Sequence, residues 1–286
     1  MKGQLSVGVT VGLLIAAALA MVGAMFAGAA LRMATRSLMG EVIGMDEAMR
    51  RVQSEPLGPS LAQLLALGGV LLIGVRLAYG PDASLREALR VRPIAPSVAL
   101  LAFVAGVAMQ FPLVEITSLV SDMVPAFGFD ERDRLHMADM MRMDTPLRAI
   151  SVPLAIVVIA PLSEELVFRG LVLHGLVPRL GTLGAVLMSS LLFALFHLHP
   201  AVVVYGTIAG LVLGAITLRT GSVITSIALH AGVNAVPLLL PESLLSIRGF
   251  NVAQDEHLPL PIVLATTAVS AIALALVWRA ADPEET

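Results

Sequence analysis

Long apolar runs alternate with short polar breaks along this chain, and their lengths predict helices that cross a membrane. A crossing takes about 20 apolar residues in helical conformation. Eight segments meet or approach that length: 5–30, 61–79, 98–119, 150–176, 183–196, 201–218, 223–240 and 260–278. The fifth is short, and tight joints leave its ends undefined. The predicted fold class is therefore all-α, a polytopic membrane bundle of about eight transmembrane helices. Two longer polar stretches, 32–59 and 124–148, mix acids, arginines and methionines. They read as amphipathic helices lying at the interface. Met137, Met140, Met141 and Met143 offer a soft face for a substrate or lid, or for packing against headgroups. The first segment has signal-peptide features in Lys2 and in small residues near Ala27 and Ala29. Its apolar run is too long for a typical signal core, so it is expected to be a retained helix.

Composition sharpens this picture. Of 286 residues, 57% are hydrophobic and only 14% are charged, too apolar for a soluble surface. Net charge is −3 and no basic run could track a phosphate backbone, so nucleic acid is not an expected partner. Cys is absent, which excludes disulfides, thiol nucleophiles and Cys-based zinc sites. Arginine placement gives an N-inside orientation slight preference. That model puts Arg86, Arg90, Arg92, Arg179, Arg219 and Arg279 on the cytoplasmic side with Lys2, and leaves most other arginines in the two long stretches opposite.

Ionisable groups inside a membrane are costly and need a reason. Three groups of them sit in the second half. Glu164 and Glu165 close an apolar run, with Arg169 one helical turn after Glu165 in the favourable order for an ion pair. Glu164 points about 100° away and lacks a sequence-local cation, which suits a general acid or base. His197 follows Phe193 by one turn, and Pro200 ends that helix at or before His199, an interfacial turn residue. His230 and Asn234 share a helix face among small and apolar neighbours, where both can donate to a developing oxyanion or tie two helices together. Glu115 is also intramembrane without a local partner, so it either lines a cavity or pairs with a distant arginine. His174 reads as interfacial, and Arg76 as a snorkelling side chain.

Several hydrolase patterns are missing: His-Glu-x-x-His, Gly-x-Ser-x-Gly, Gly-x-Gly-Asp and Gly-x-Ser-Gly. What remains is a Glu/His/His/Asn set on separate spans, suited to water-activated amide hydrolysis. A metal held by Glu164, His197 and His230 is also chemically reasonable.

Glu164-Glu165-x-x-x-Arg169, Phe193-x-x-x-His197 and His230-x-x-x-Asn234, in this order, resemble the three motifs of the CAAX-protease and bacteriocin-processing (CPBP, or Abi) family of intramembrane endopeptidases. The resemblance divides the chain into N-terminal membrane helices and interfacial segments (1–145), a catalytic core (146–241) and a C-terminal loop with the last helix (242–286). It implies that Glu164 activates water, that His197 helps hold or deprotonate it, and that His230 and Asn234 stabilise the oxyanion. Glu165, Arg169 and Phe193 would support the site. Members of the family include metalloproteases and metal-independent glutamic proteases. The missing His-Glu-x-x-His favours the second, with no cofactor, and leaves a divalent metal such as zinc as the alternative. The expected partners are a protein or peptide substrate and the lipid bilayer. A composition rich in Ala and Arg and poor in Lys resembles a GC-rich bacterial proteome and points to the inner (cytoplasmic) membrane. The competing readings are a catalytically silent immunity or scaffold protein of the same fold, and a proton-coupled transporter. The absence of a visible internal repeat weighs against the transporter.

Overall fold

The structure is a computed structural model that describes residues 3–55, 57–252, 254 and 256–281. Lys2 lies outside the described residues. The expected all-α membrane bundle is what forms, and the described residues contain no strand. Six helices are long and apolar enough to cross a membrane. They are α1 (Val7–Leu38), α3 (Leu57–Tyr79), α5 (Pro96–Met123), a continuous run Pro146–Phe196, α10 (Pro200–Thr220) and α12 (Leu260–Ala280). A further apolar helix, α11 (Val223–Leu239), has 17 residues. Short helices α2 (Met45–Ser54), α4 (Leu85–Ala88) and α6 (Glu131–Met140) join them.

The run Pro146–Phe196 is 51 residues long, and it contains both segments expected at 150–176 and 183–196. It comprises α7 (Pro146–Pro153), a wide π-helical stretch Leu154–Ile159, α8 (Ala160–Glu165), a second π-helical stretch Leu166–Leu173, and α9 (His174–Phe196). Inside α9 Gly181 has φ 68°, which breaks the helix; a residue with a Cβ rarely adopts that angle. The chain folds back there. Phe168 lies 5.3 Å from Phe193 and 5.6 Å from Phe196, ring centre to ring centre. Residues nearly equidistant from Gly181 therefore touch, so the two arms run antiparallel.

Two apolar clusters hold the bundle. One joins α1, α3 and both arms of the long run through Leu14, Leu67, Leu71, Phe168, Leu171 and Phe193. The other joins α5, α10, α11 and α12 through Ala102, Met109, Leu213, Leu229, Val233 and Val277. The outer surface stays apolar: Leu19 is 67% exposed, Leu65 76% and Leu183 72%. Water would penalise such a surface, and lipid would not.

Helices α5 and α11 cross at two glycines. A Cβ on Gly106 would stand 1.9 Å from the carbonyl oxygen of Leu229, and one on Gly232 would stand 2.1 Å from that of Phe103. Only backbones without side chains approach this closely, as membrane helix pairs commonly do. Gly232 lies between His230 and Asn234, so this crossing sets where both side chains stand.

The polar stretches form short helices, partly as expected. In α2, Arg51 reaches Glu47 at 2.5 Å. Arg148 ties the end of the second stretch to the first, donating to the carbonyl of Ser54 at 2.8 Å. Arg32 and Arg36 extend α1 beyond its apolar part and pair with Glu55 and Glu41. Arg76 caps the exposed end of α3 by donating to Ala83.

Glu115 corrects the sequence expectation. Its partner is no arginine: it takes His257 Nδ1 at 2.8 Å and the Leu258 backbone N–H at 2.9 Å. His257 Nε2 meets Asp122 at 2.9 Å. Hydrogen bonds to Asp122 and Glu115 raise the His257 pKa above its ordinary value. His257 and the Leu258 N–H thus hold the chain just before α12 against α5.

Candidate active site

The seam between the two clusters carries the buried charges. Helix α8 packs against α3 on one side and α11 on the other. Glu164 and Glu165, adjacent in sequence, face different neighbours because a helix turns about 100° per residue.

Glu165 is completely buried, and so is Arg169. Arg169 donates to Glu165 Oε1 at 2.8 Å, the i, i+4 pair expected from the sequence. The guanidinium also lies 4.4 Å from the centre of the Phe193 ring. A cation over an aromatic face recovers part of its lost hydration. The same Glu165 oxygen meets His230 Nδ1 at 2.9 Å. That contact assigns the proton to Nδ1 and leaves Nε2 facing inward.

Glu164 is 7% exposed. Its Oε2 is 3.9 Å from His230 Nε2 and 4.0 Å from His197 Nε2. His197 Nδ1 lies 3.0 Å from the Phe193 carbonyl, which again turns Nε2 toward the carboxylate. Phe193 stands edge-on to both imidazoles, 5.0 Å from His197 and 5.6 Å from His230. One ring therefore separates the two histidines and braces Arg169. The His197 side chain is 31% exposed, more than that of Glu164 or His230.

Glu164, Glu165, Arg169, Phe193, His197 and His230 are thus brought together. Asn234 is half-buried one turn beyond His230, and its Nδ2 donates to the Ile156 carbonyl at 3.0 Å. Ile156 belongs to the first π-helical stretch, so Asn234 ties α11 to that wide turn. Such turns recur at functional sites.

Sequence reasoning missed Gln63. Its Nε2 donates to Glu164 Oε1 at 2.8 Å and to Ser163 Oγ at 3.2 Å. The only signal was one amide in the apolar run of α3, far from every motif.

His199 sits outside the cluster. It caps α10, stacks on Phe129 at 5.1 Å and contacts Asp133 at 3.1 Å. The backbone N–H of Asp130 and then His199 hold the Asp133 carboxyl below the usual carboxylate range. His174 reaches back to the Arg169 carbonyl at 2.6 Å.

Two imidazole lone pairs and a carboxylate oxygen are chemically a zinc donor set. Bonds of about 2.1 Å in a tetrahedron would put those atoms about 3.4 Å apart. The observed 3.9 and 4.0 Å are wider. Among the described residues no group of three His, Asp or Glu side chains is disposed to hold a metal ion. A gap of this width takes one bridging water.

Residues 146–236 match the family model described as type II CAAX prenyl endopeptidase Rce1-like. The matched region contains every motif residue above, from Glu164 to Asn234. No curated protein and no solved structure matches the chain significantly. The match supports a CAAX-type intramembrane endopeptidase at the family level, with protein or peptide substrates, in a multi-pass integral membrane protein.

Proposed function

We propose, from the Rce1-like domain at residues 146–236, that this protein is an intramembrane endopeptidase in which Glu164 activates water against a peptide bond. The observation that carries the reading is the convergence of His197 and His230 on Glu164 Oε2 at 4.0 and 3.9 Å. A water in that gap donates one hydrogen to the carboxylate and the other to His197 Nε2. As its oxygen attacks the carbonyl carbon, Glu164 takes the proton and later passes it to the leaving amine. His230 has committed Nδ1 to Glu165, so it can donate from Nε2 only with both ring nitrogens protonated. Asn234 has a second N–H besides the one given to Ile156, and this is its donor to the oxyanion. No step passes through a metal.

The substrates are membrane-associated or exported proteins or peptides, and the setting is a bacterial inner membrane. The test compares protein and peptide termini in membranes and medium of host cells carrying wild type or Glu164→Gln. Termini present only with wild type are expected. Identical profiles at equal membrane levels of the two proteins would favour a silent scaffold of the same fold.

A further inference from the structure

We propose that Gln63 is a positioning residue for Glu164, so that the N-terminal half of the chain completes the hydrolytic site. This rests on Glu164 being the general base.

Glu164 has two oxygens, and the structure gives them different tasks. Oε1 accepts from Gln63 Nε2 at 2.8 Å. Oε2 faces the histidines at 3.9 and 4.0 Å. The terminal torsion of a glutamate is broad and roughly two-fold, so an untethered carboxylate presents either oxygen. A hydrogen bond to Oε1 removes that freedom and keeps Oε2 aimed at the water. Gln63 is itself anchored, because its Nε2 also donates to Ser163 Oγ at 3.2 Å, and Ser163 donates to the Ala160 carbonyl at 3.1 Å. The orientation of the amide follows from the network: its carbonyl turned toward Glu164 would set two acceptors against each other.

The placement is costly. Gln63 sits in α3 beside Leu64 and Leu65, which are 36% and 76% exposed on the apolar surface. An amide there needs a partner to offset its burial. That partner is the one carboxylate in the site that Arg169 does not contact directly. Gln63 also lies outside the Rce1-like region 146–236. The domain alone therefore leaves Glu164 Oε1 without its donor.

The test uses the full chain in detergent and a synthetic peptide spanning a cleavage found in host membranes that contain the wild-type protein and absent from those that lack it. Gln63→Met keeps the side-chain length and removes the donor. Gln63→Asn keeps the amide and withdraws it by about 1.5 Å. Each variant is assayed below its thermal unfolding temperature. Both are expected to lose about tenfold in kcat, the usual effect of a hydrogen bond to a charged group, with KM within about twofold of wild type. Gln63→Glu should lose more, since it sets a second carboxylate against Glu164. A purely structural Gln63 would lower the unfolding temperature and leave kcat unchanged, and that result overturns the proposal. Glu164→Gln separates the two ideas. If it cleaves like wild type, the general-base reading fails; if it is inactive while Gln63→Met runs at full speed, only the positioning role fails.

Discussion

Glu165 and Arg169 are both fully buried and meet at 2.8 Å, while Glu164, one residue earlier, faces His230 and His197 at 3.9 and 4.0 Å instead of an arginine. The two carboxylates therefore answer to mutation differently. Removing one member of a buried ion pair strands the other charge and costs about 3–5 kcal/mol. Arg169→Met is thus expected to destabilise the protein by about that amount in denaturant unfolding, together with loss of activity. Glu164→Gln keeps shape and hydrogen-bonding capacity, so it should unfold within about 1 kcal/mol of wild type while cleavage disappears. Equal unfolding of Arg169→Met and wild type would remove the structural role given to the pair. The sequence reads this pair well because its members are one turn apart. It reads Gln63 and the Glu115–His257 contact poorly, because 101 and 142 residues separate the partners. No local spacing encodes such a meeting.

At the scale of elements, the crossing of α5 and α11 positions His230 and Asn234. A Cβ at Gly232 would overlap the Phe103 carbonyl at 2.1 Å, so backbone must move. Gly232→Ala is expected to cost about 1–3 kcal/mol or more and to depress kcat, since the helix between the two site residues is displaced. Retained stability and turnover would show that α11 tolerates the shift. The 242–259 loop carries a pH-sensitive contact. Asp122 and Glu115 raise the His257 pKa, so the charged imidazole stabilises the folded clasp fully below its unfolded value near 6.5. That contribution fades as pH rises through the higher folded value. Amide exchange at Leu258 should therefore quicken with pH beyond its intrinsic base catalysis, and His257→Gln should abolish the excess. The apolar pattern located every long helix but misjudged their ends. Helix α1 continues to Leu38 because Arg32 and Arg36 find acidic partners, whereas hydropathy stops at Ala30. The break at 176–183 contracts to Gly181.

For the whole molecule, successive spans alternate in direction, which sorts its contacts between two faces. One face holds Gly3 against Ala78, Ser222 against Arg92, and Arg219 against Trp278. The other holds His199 with Asp133, His257 with Glu115 and Arg148 with Ser54. The site lies toward the second face: His197 ends α9, Gln63 is in the first part of α3, and Asn234 is near the end of α11. Because the chain has no cysteine, single Cys probes need no altered background. Ser84→Cys and Ser246→Cys should label from opposite sides of sealed vesicles, and labelling from one side would contradict the topology. Composition and run length made the membrane bundle legible, and three short motifs made the Glu/His cluster legible. The role of the N-terminal half was not, since a scaffold and a contributor to the site look alike in apolar sequence.

The proposed reaction depends on Glu164 acting on water without a metal. The most direct measurement is turnover, by purified full-length protein, of a peptide spanning a cleavage seen only in host cells that carry the wild-type protein, before and after exhaustive chelation, beside Glu164→Gln. Turnover by wild type should survive chelation unchanged, and Glu164→Gln should be inactive though folded. Loss of wild-type activity on chelation with recovery on added zinc, or full activity in Glu164→Gln, would contradict it.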